Sequence, residues 1–302
     1  YLTYMKNDEL QALYLADGDY KYYDSDATKD DISAYVKATF AITPHWDVFA
    51  DLQFRHVSFM TTGYNDKYNA DLSKNMLDIS KRYDFLNPKA GLSYTVGRHR
   101  AYASAAMSHR EPERNNFTDN ASYPAPRAER LLDYEVGYEF TANRWHAGLN
   151  AYFMDYRDQF VQTGAVSDIG EALTTNIARS YRMGIELTAG VSLLPWLSFD
   201  GNLALSRNRI RDFDEVITEV YDADWNALAP VTNHYSSSTL AYSPALVGNA
   251  FLNVHHRGFN ATWRTGGASR QYVDNSECRD RSVPGFCTSD LSASYTFNRR
   301  HK

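Results

Sequence analysis

The side chains able to do chemistry gather at a few points of the sequence. His109, Arg110, Glu111, Arg114 and Asn115 lie in one short stretch, which concentrates cationic and hydrogen-bonding groups. Guanidinium and imidazole groups so placed can grip an anion such as a metal chelate through charge-assisted hydrogen bonds. Tyr156 adds an aromatic surface against which a bulky chelate could stack. The same residues serve equally well as a polar network bracing a loop, and each taken singly fits that role. Cys278 and Cys287 flank Arg279 to Phe286. In an oxidising compartment they are expected to staple that segment as a disulfide, two free thiols being the alternative. His255 and His256 are neighbours, so on a strand they point to opposite faces and cannot easily share one metal ion. His56, His109 and Asp155 leave room for hydrolytic chemistry. No nucleophile motif, phosphate loop, metal-ligand spacing or cofactor motif is present.

Positioning these groups falls to eleven segments in which apolar and polar residues alternate. In Tyr181 to Leu193, the residues Tyr181, Met183, Ile185, Leu187, Ala189, Val191 and Leu193 fall on one side, and Arg182, Gly184, Glu186, Thr188, Gly190 and Ser192 on the other. A strand has a side-chain period of two, so this segment has one apolar and one wet face. The pattern recurs near residues 31–41, 46–55, 86–96, 99–109, 132–140, 145–153, 197–206, 246–254, 259–264 and 290–297. Asp, Glu, Lys and Arg stay off the apolar faces of these central spans. Five alternate apolar positions cover roughly 25 Å of a tilted strand, the height of the lipid band of an outer-membrane barrel. A soluble sandwich shares the alternation but has no need of strand after strand of one length. The expected fold is therefore an all-β, antiparallel transmembrane barrel. Leu132, Tyr134, Val136, Ile185, Leu187, Leu203 and Leu252 should face lipid, and Glu135, Glu139, Arg182 and Glu186 the lumen.

Composition fits. The 302 residues are 43% hydrophobic and their mean hydropathy is -0.53. There is no apolar run of about 18 residues such as a membrane helix requires, but barrels escape that test because half of each strand faces a polar interior. The 23 Tyr, 15 Phe and 5 Trp suit strands and interfacial girdles. A net charge of -6 argues against nucleic acid as a partner.

Connections between the segments alternate short and long. Short ones fall near Thr43-Pro44, Gly97-Arg98, Ala142-Asn143, Leu194-Pro195 and His256-Arg257. Long ones run from about Thr61 to Phe85, Arg110 to Arg130, Gln159 to Ser180, Asn208 to Ser243 and Gln271 to Phe286. Short periplasmic turns and long extracellular loops give this rhythm. Trp46, Trp145 and Trp196 follow short turns, where an aromatic belt is expected. Tyr1 to Asp30, acidic and without clean alternation, reads as an extracellular loop ahead of barrel strands over 31–297. Tyr1-Leu2-Thr3-Tyr4 is no signal-peptide start, and eleven strands cannot close antiparallel, so the chain is expected to be a piece of a longer protein.

Several strings carry a resemblance. They are Asn87-Pro88-Lys89-Ala90-Gly91-Leu92-Ser93-Tyr94, Ser108-His109-Arg110-Glu111-Pro112, Glu129-Arg130-Leu131-Leu132-Asp133-Tyr134-Glu135-Val136-Gly137-Tyr138, Tyr152-Phe153-Met154-Asp155-Tyr156-Arg157-Asp158-Gln159, Ser180-Tyr181-Arg182-Met183-Gly184-Ile185-Glu186-Leu187 and Arg270-Gln271-Tyr272-Val273-Asp274-Asn275. Together they resemble the C-terminal part of the barrel of TonB-dependent outer-membrane receptors of the Bacteroidetes type. The resemblance implies a 22-stranded barrel with an N-terminal plug, in the outer membrane of a Gram-negative bacterium. It implies active uptake of a scarce nutrient such as an iron chelate, haem or a cobalamin-like compound, energised through TonB. The implied partners are outer-membrane lipid, TonB through a region absent from this sequence, and a small-molecule substrate. An outer-membrane hydrolase and a passive porin or adhesin scaffold are the alternatives. On the receptor reading, His109, Arg110, Arg114 and Tyr156 are the expected substrate-binding residues at the extracellular mouth.

Overall fold

The computed structural model describes residue 21 and residues 23–69, 71–118, 124–166, 172–217, 222–226, 228–229 and 231–297. Among the described residues, fourteen strands and one short helix make up the order. They are β1 (Asp24–Ala41), β2 (Trp46–Tyr68), β3 (Lys74–Val96), β4 (His99–Arg110), α1 (Arg114–Thr118), β5 (Glu129–Thr141), β6 (Trp145–Val166) and β7 (Ala172–Leu194), followed by β8 (Leu197–Ile217), β9 (Val231–Thr239), β10 (Leu246–His256), β11 (Phe259–Ala268), β12 (Gln271–Tyr272), β13 (Ser282–Val283) and β14 (Phe286–Tyr295). Twelve strands form one sheet in the order β1-β2-β3-β4-β5-β6-β7-β8-β10-β11-β14, with β9 also on β8, while β12 and β13 pair separately. All eleven alternating segments are strands of that sheet. The twelfth, β9, pairs Arg209–Ile217 of β8, whereas β10 takes Leu197–Leu205.

Register turns the alternation of each strand into two faces. Leu92, Ala103, Val136, Ala151, Ile185, Leu205 and Leu246 are successive cross-strand partners. The next row on the opposite face reads Gly91, Ser104, Glu135, Tyr152, Gly184 and Ser206. Because side-chain period and ladder step are both two, a single register error would mix the rows. None of the described residues covers the apolar face: Val136 is 59% exposed, Leu205 47% and Ile185 44%. A sandwich would bury these residues in its core, so this face requires an apolar medium. No helix among the described residues is long and apolar enough to cross a membrane. Trp46 packs on Tyr94 and Trp145 on Phe140 at the short-turn end. On the polar face, Gly137 leaves room for the Tyr102 ring; a Cβ there would sit 2.1 Å from a ring carbon.

The described chain forms two compact units. One takes the described residues up to Ile32 and His56–Asp84; the other takes Ser33–Arg55 and the described residues from Phe85 on. In the first, Val57 and Leu77 are buried, His56 Nδ1 lies 2.7 Å from Asp84 Oδ1, and Gly63 (φ 116°) packs on the Asp24 carbonyl. In the second, the sheet has a small core of Val161, Ile177, Ile210, Phe213 and Leu240, with Tyr235 against it.

Three expected long loops are mostly strand. β2 and β3 extend to Tyr68 and from Lys74, β6 and β7 to Val166 and from Ala172, and β8 and β9 reach Ile217 and start at Val231. Asp158 and Asp212 explain why alternation hid two of these extensions. Each has a left-handed backbone (φ 52° and 58°), a kink that lets two neighbouring residues face the same way. Ile210 and Phe213 are both buried while Arg211 and Asp212 between them are exposed, and Ile177 and Ser180 flank exposed Ala178 and Arg179 in the same way. The first strand begins at Asp24, so Asp24 to Asp30 are strand rather than loop. The remainder of the expected N-terminal loop, apart from residues 21 and 23, lies outside the described residues. The other two long connections hold α1 and the β12–β13 pair.

Candidate functional site

The stretch that drew attention by its residue types leaves the sheet at the end of β4. Here the ladder sets His109 opposite Arg130 and Arg110 opposite Glu129, in successive rows. His109 stacks on the buried ring of Phe85 at 5.2 Å, nearly parallel. Its Nδ1 lies 2.9 Å from Asn87 Oδ1, and Asn87 in turn donates to Gln53 Oε1 at 3.1 Å. Arg110 donates from Nη2 to Glu129 Oε2 at 3.1 Å and lies 5.3 Å above the Phe160 ring. Glu129 is held in turn by the Phe160 backbone N–H at 2.9 Å. Glu111 is buried and accepts both terminal nitrogens of Arg55, at 2.7 and 2.8 Å. Such a fork-to-carboxylate pair fixes where the chain turns away from the sheet.

Arg114 opens α1, a helix of 5 residues. That helix is anchored by Asn116, whose side chain donates to Thr174 Oγ1 at 2.6 Å and accepts from the Glu113 backbone N–H at 2.8 Å. Asn115 Oδ1 is buried with no hydrogen-bond partner among the described residues. Tyr156 sits opposite Leu131 and Ser180, within electrostatic reach of Arg182, Glu129, Asp133 and Arg110. Arg182 donates to Ser243 Oγ at 2.9 Å. The fold therefore brings Arg110 and Tyr156 into one polar neighbourhood. It places His109 in a separate hydrogen-bond chain and Arg114 on the helix that follows.

Cys278 and Cys287 are both free thiols, so the expected disulfide is not formed. Cys287 is in β14 opposite Gly267, its Sγ 3.4 Å from Thr265 Oγ1, while Cys278 belongs to the segment between β12 and β13. His255 is bonded to the Asn260 side chain across the turn, and no group of three or more metal-ligating side chains gathers among the described residues.

Sequence reasoning missed a polar latch in the segment between β12 and β13. Asp274, 2% exposed, pairs with Arg281 at 2.8 Å, and Arg281 also reaches Glu215 at 3.3 Å. Tyr235 donates to the other Glu215 oxygen. Asn275, also 2% exposed, donates to the Gln162 carbonyl at 2.6 Å and accepts the Ala241 N–H at 2.9 Å. Its backbone carbonyl accepts the Ser238 hydroxyl. Asp274 and Asn275 end one of the strings that carry the resemblance, but their partners Glu215, Tyr235, Ser238 and Gln162 lie far away in sequence, and a long connection holds no periodic code that would join them.

The model of the family described as "TonB dependent receptor-like, beta-barrel" matches residues 1–302. Among solved structures, the siderophore receptor PiuA from Acinetobacter baumannii superposes with a TM-score of 0.69 at 16% identity, covering 91% of this chain and 38% of its own. The ferric yersiniabactin uptake receptor FyuA from Yersinia pestis gives 0.65 at 16%, covering 90% and 39%. The copper transporter OprC gives 0.68 at 16%, covering 91% and 41%. No curated protein matches by sequence. The chain thus spans about two fifths of the receptors it resembles in fold. A polar face, an uncovered apolar face and a family match over the whole sequence agree: the chain belongs to the TonB-dependent receptor family of the Gram-negative outer membrane and supplies strands of its β-barrel.

Proposed function

We propose that the receptor containing this chain imports a scarce nutrient such as an iron chelate, haem or a cobalamin-like compound, energised through TonB, and is of the Bacteroidetes type. In this reading the twelve strands of the main sheet, from Asp24 of β1 to Tyr295 of β14, belong to the barrel wall, while the plug and the TonB-contacting segment belong to the rest of the receptor. Substrate is held where the strands enter the long connections, with Arg110, Arg114 and Tyr156 contributing, while His109, opposite Arg130 in the ladder and taken up by Asn87 and Phe85, braces the strand end. The supporting observation is that Arg110 and Tyr156 share surroundings with Arg182, Glu129 and Asp133 on rigid strand ends, where a site is better preorganised than on loop tips. The cargoes named for the similar structures, a siderophore, ferric yersiniabactin and copper, are all metals or metal carriers. Members of this family are transporters, so the hydrolase alternative falls away. His56 and His109 are each occupied by a structural partner, Asp84 and Asn87.

The test is binding and uptake by the full-length receptor, probed with ferric citrate, a ferric catecholate, haemin and cobalamin. Arg110→Ala combined with Arg114→Ala should weaken binding of the favoured probe at least tenfold, with an unchanged amount of folded receptor in the outer membrane. Unchanged affinity in a normally folded variant would move the site elsewhere. Failure of every probe to bind the wild type would overturn the nutrient class.

A further inference from the structure

Beyond the apolar band, the outward face of the sheet carries a feature that nutrient uptake does not use. Ladder register makes Arg130, Arg157, Arg179 and Arg211 direct cross-strand partners on β5, β6, β7 and β8. All four follow the parity of the apolar face. Arg130 and Arg179 lie next to the last apolar residues of their strands on this face, Leu132 and Tyr181, whereas Arg157 follows Phe153 and Asp155, and Arg211 follows Leu205, Arg207 and Arg209. Arg211 confirms the side, since its guanidinium lies 5.1 Å from the ring of Tyr181, which itself packs on Phe153. Arg157, Arg179 and Arg211 are exposed. Arg207, opposite Met183, adds a fifth exposed cation on the same face.

Like charges directly opposite one another on adjacent strands are destabilising, so four in a row call for a counter-charge. The described residues do not provide it. Among the described residues, none of the arginines of this row is in an ion pair with Asp or Glu. Asp155, opposite Leu132 and Tyr181, comes within ion-pair distance of none of them, and Asp158 is taken by Arg127 at 2.6 Å. The row sits at the long-connection ends of the strands, which is the outer-leaflet side of the wall. With strands about 4.8 Å apart, it spans about 14 Å along the membrane surface. Guanidinium forks at that level match phosphate groups in both charge and geometry.

We propose that Arg130, Arg157, Arg179 and Arg211 form a docking row for a phosphorylated lipid headgroup of the outer leaflet, carrying at least two phosphates. The lipid supplies the missing counter-charge, and its acyl chains continue down the apolar face past Tyr181, Phe153 and Leu205. The row is thereby a lipid-anchoring site whatever nutrient passes through the interior.

Detergent-purified full-length receptor would be titrated with bis-phosphorylated lipid A, its monophosphorylated form, and inorganic pyrophosphate, with bound lipid counted by native mass spectrometry. Wild type should retain the bis-phosphorylated lipid. R130Q/R157Q/R179Q/R211Q should lose at least tenfold in apparent affinity, and the matching four-fold lysine variant should keep most of it. Monophosphorylated lipid should bind wild type more weakly. Equal retention by wild type and the glutamine variant, both migrating as folded barrels, would overturn the proposal. So would competition by pyrophosphate as strong as by lipid, which would make the row a free-anion site, or an acidic protein co-purifying with wild type in place of lipid. Should the four-fold variant not fold, R157Q/R179Q replaces it, and a loss smaller than threefold refutes the row. Nutrient binding by the same variants should be unchanged, which separates this site from the uptake site.

Discussion

Ile185→Arg tests the two-faced wall most directly. Ile185 lies on β7 between Tyr181 at one end of the apolar band and Val191, opposite Trp145, at the other. Its cross-strand partners are Ala151 and Leu205, both on the same face, and 44% of it is exposed. The carboxylate of Asp155 lies two same-face rows away, opposite Tyr181, so an arginine here has no carboxylate in its own or the adjoining row and sits too deep to reach either rim easily. Transfer of an isoleucine into the membrane centre is favourable by about 0.3–0.6 kcal/mol, and of an arginine unfavourable by about 2.5–3.5 kcal/mol. The swap therefore costs about 3–4 kcal/mol, in line with the roughly 2–4 kcal/mol seen for cations at the midplane of barrels. That corresponds to a fall of between two and three orders of magnitude in the folding equilibrium. Thr188, three positions on, faces the other way with Gly148 and Asn202 as neighbours, and Thr188→Asn should cost under about 1 kcal/mol. The assay is urea-dependent insertion of the full-length receptor into phosphatidylcholine vesicles, scored by the heat-modifiable folded band. Equal losses at the two positions, or a larger one at Thr188, would refute the assignment of faces.

Three further outcomes are expected. Arg55→Ala leaves the buried Glu111 carboxylate without its bidentate partner and should cost about 3–5 kcal/mol; a melting temperature within a degree of wild type would contradict this. His234 in β9 is raised above its ordinary value, chiefly by its hydrogen bond to Asp214. Its charged form therefore supports the β8–β9 hairpin below the usual histidine value of about 6.5, and that support is lost as pH rises through the raised value. Hydrogen exchange in β8–β9, corrected for intrinsic rate, should speed up from pH 6 to pH 8 in wild type and not in His234→Gln. Cys278 and Cys287 should both be alkylated without prior reduction, and a linked peptide in mass spectrometry would restore the disulfide.

The sequence alone determined the sheet, its antiparallel order and its two faces. Each spanning strand must meet lipid on one side and water on the other, so a period of two is imposed on every span and survives in the residues. The strands through Val136, Ile185 and Leu205 were legible for that reason. Beyond the apolar band that constraint lapses. Kinks at Asp158 and Asp212 reverse the parity, so strand extensions read as loops, and β9 went unseen. The latch of Asp274, Asn275, Glu215 and Arg281 depends on residues far apart in sequence, and nothing periodic marks them. The candidate site divides in the same way. Residue types pointed to His109, Arg110 and Tyr156, but only the tertiary structure decided that the His109 side chain meets Asn87 and Phe85 while Arg110 and Tyr156 share one set of charges. The arginine row shows the division most simply. Four residues spread from position 130 to 211 have no relation in sequence, and strand register alone brings them side by side, because it adds together positions that the chain itself keeps apart.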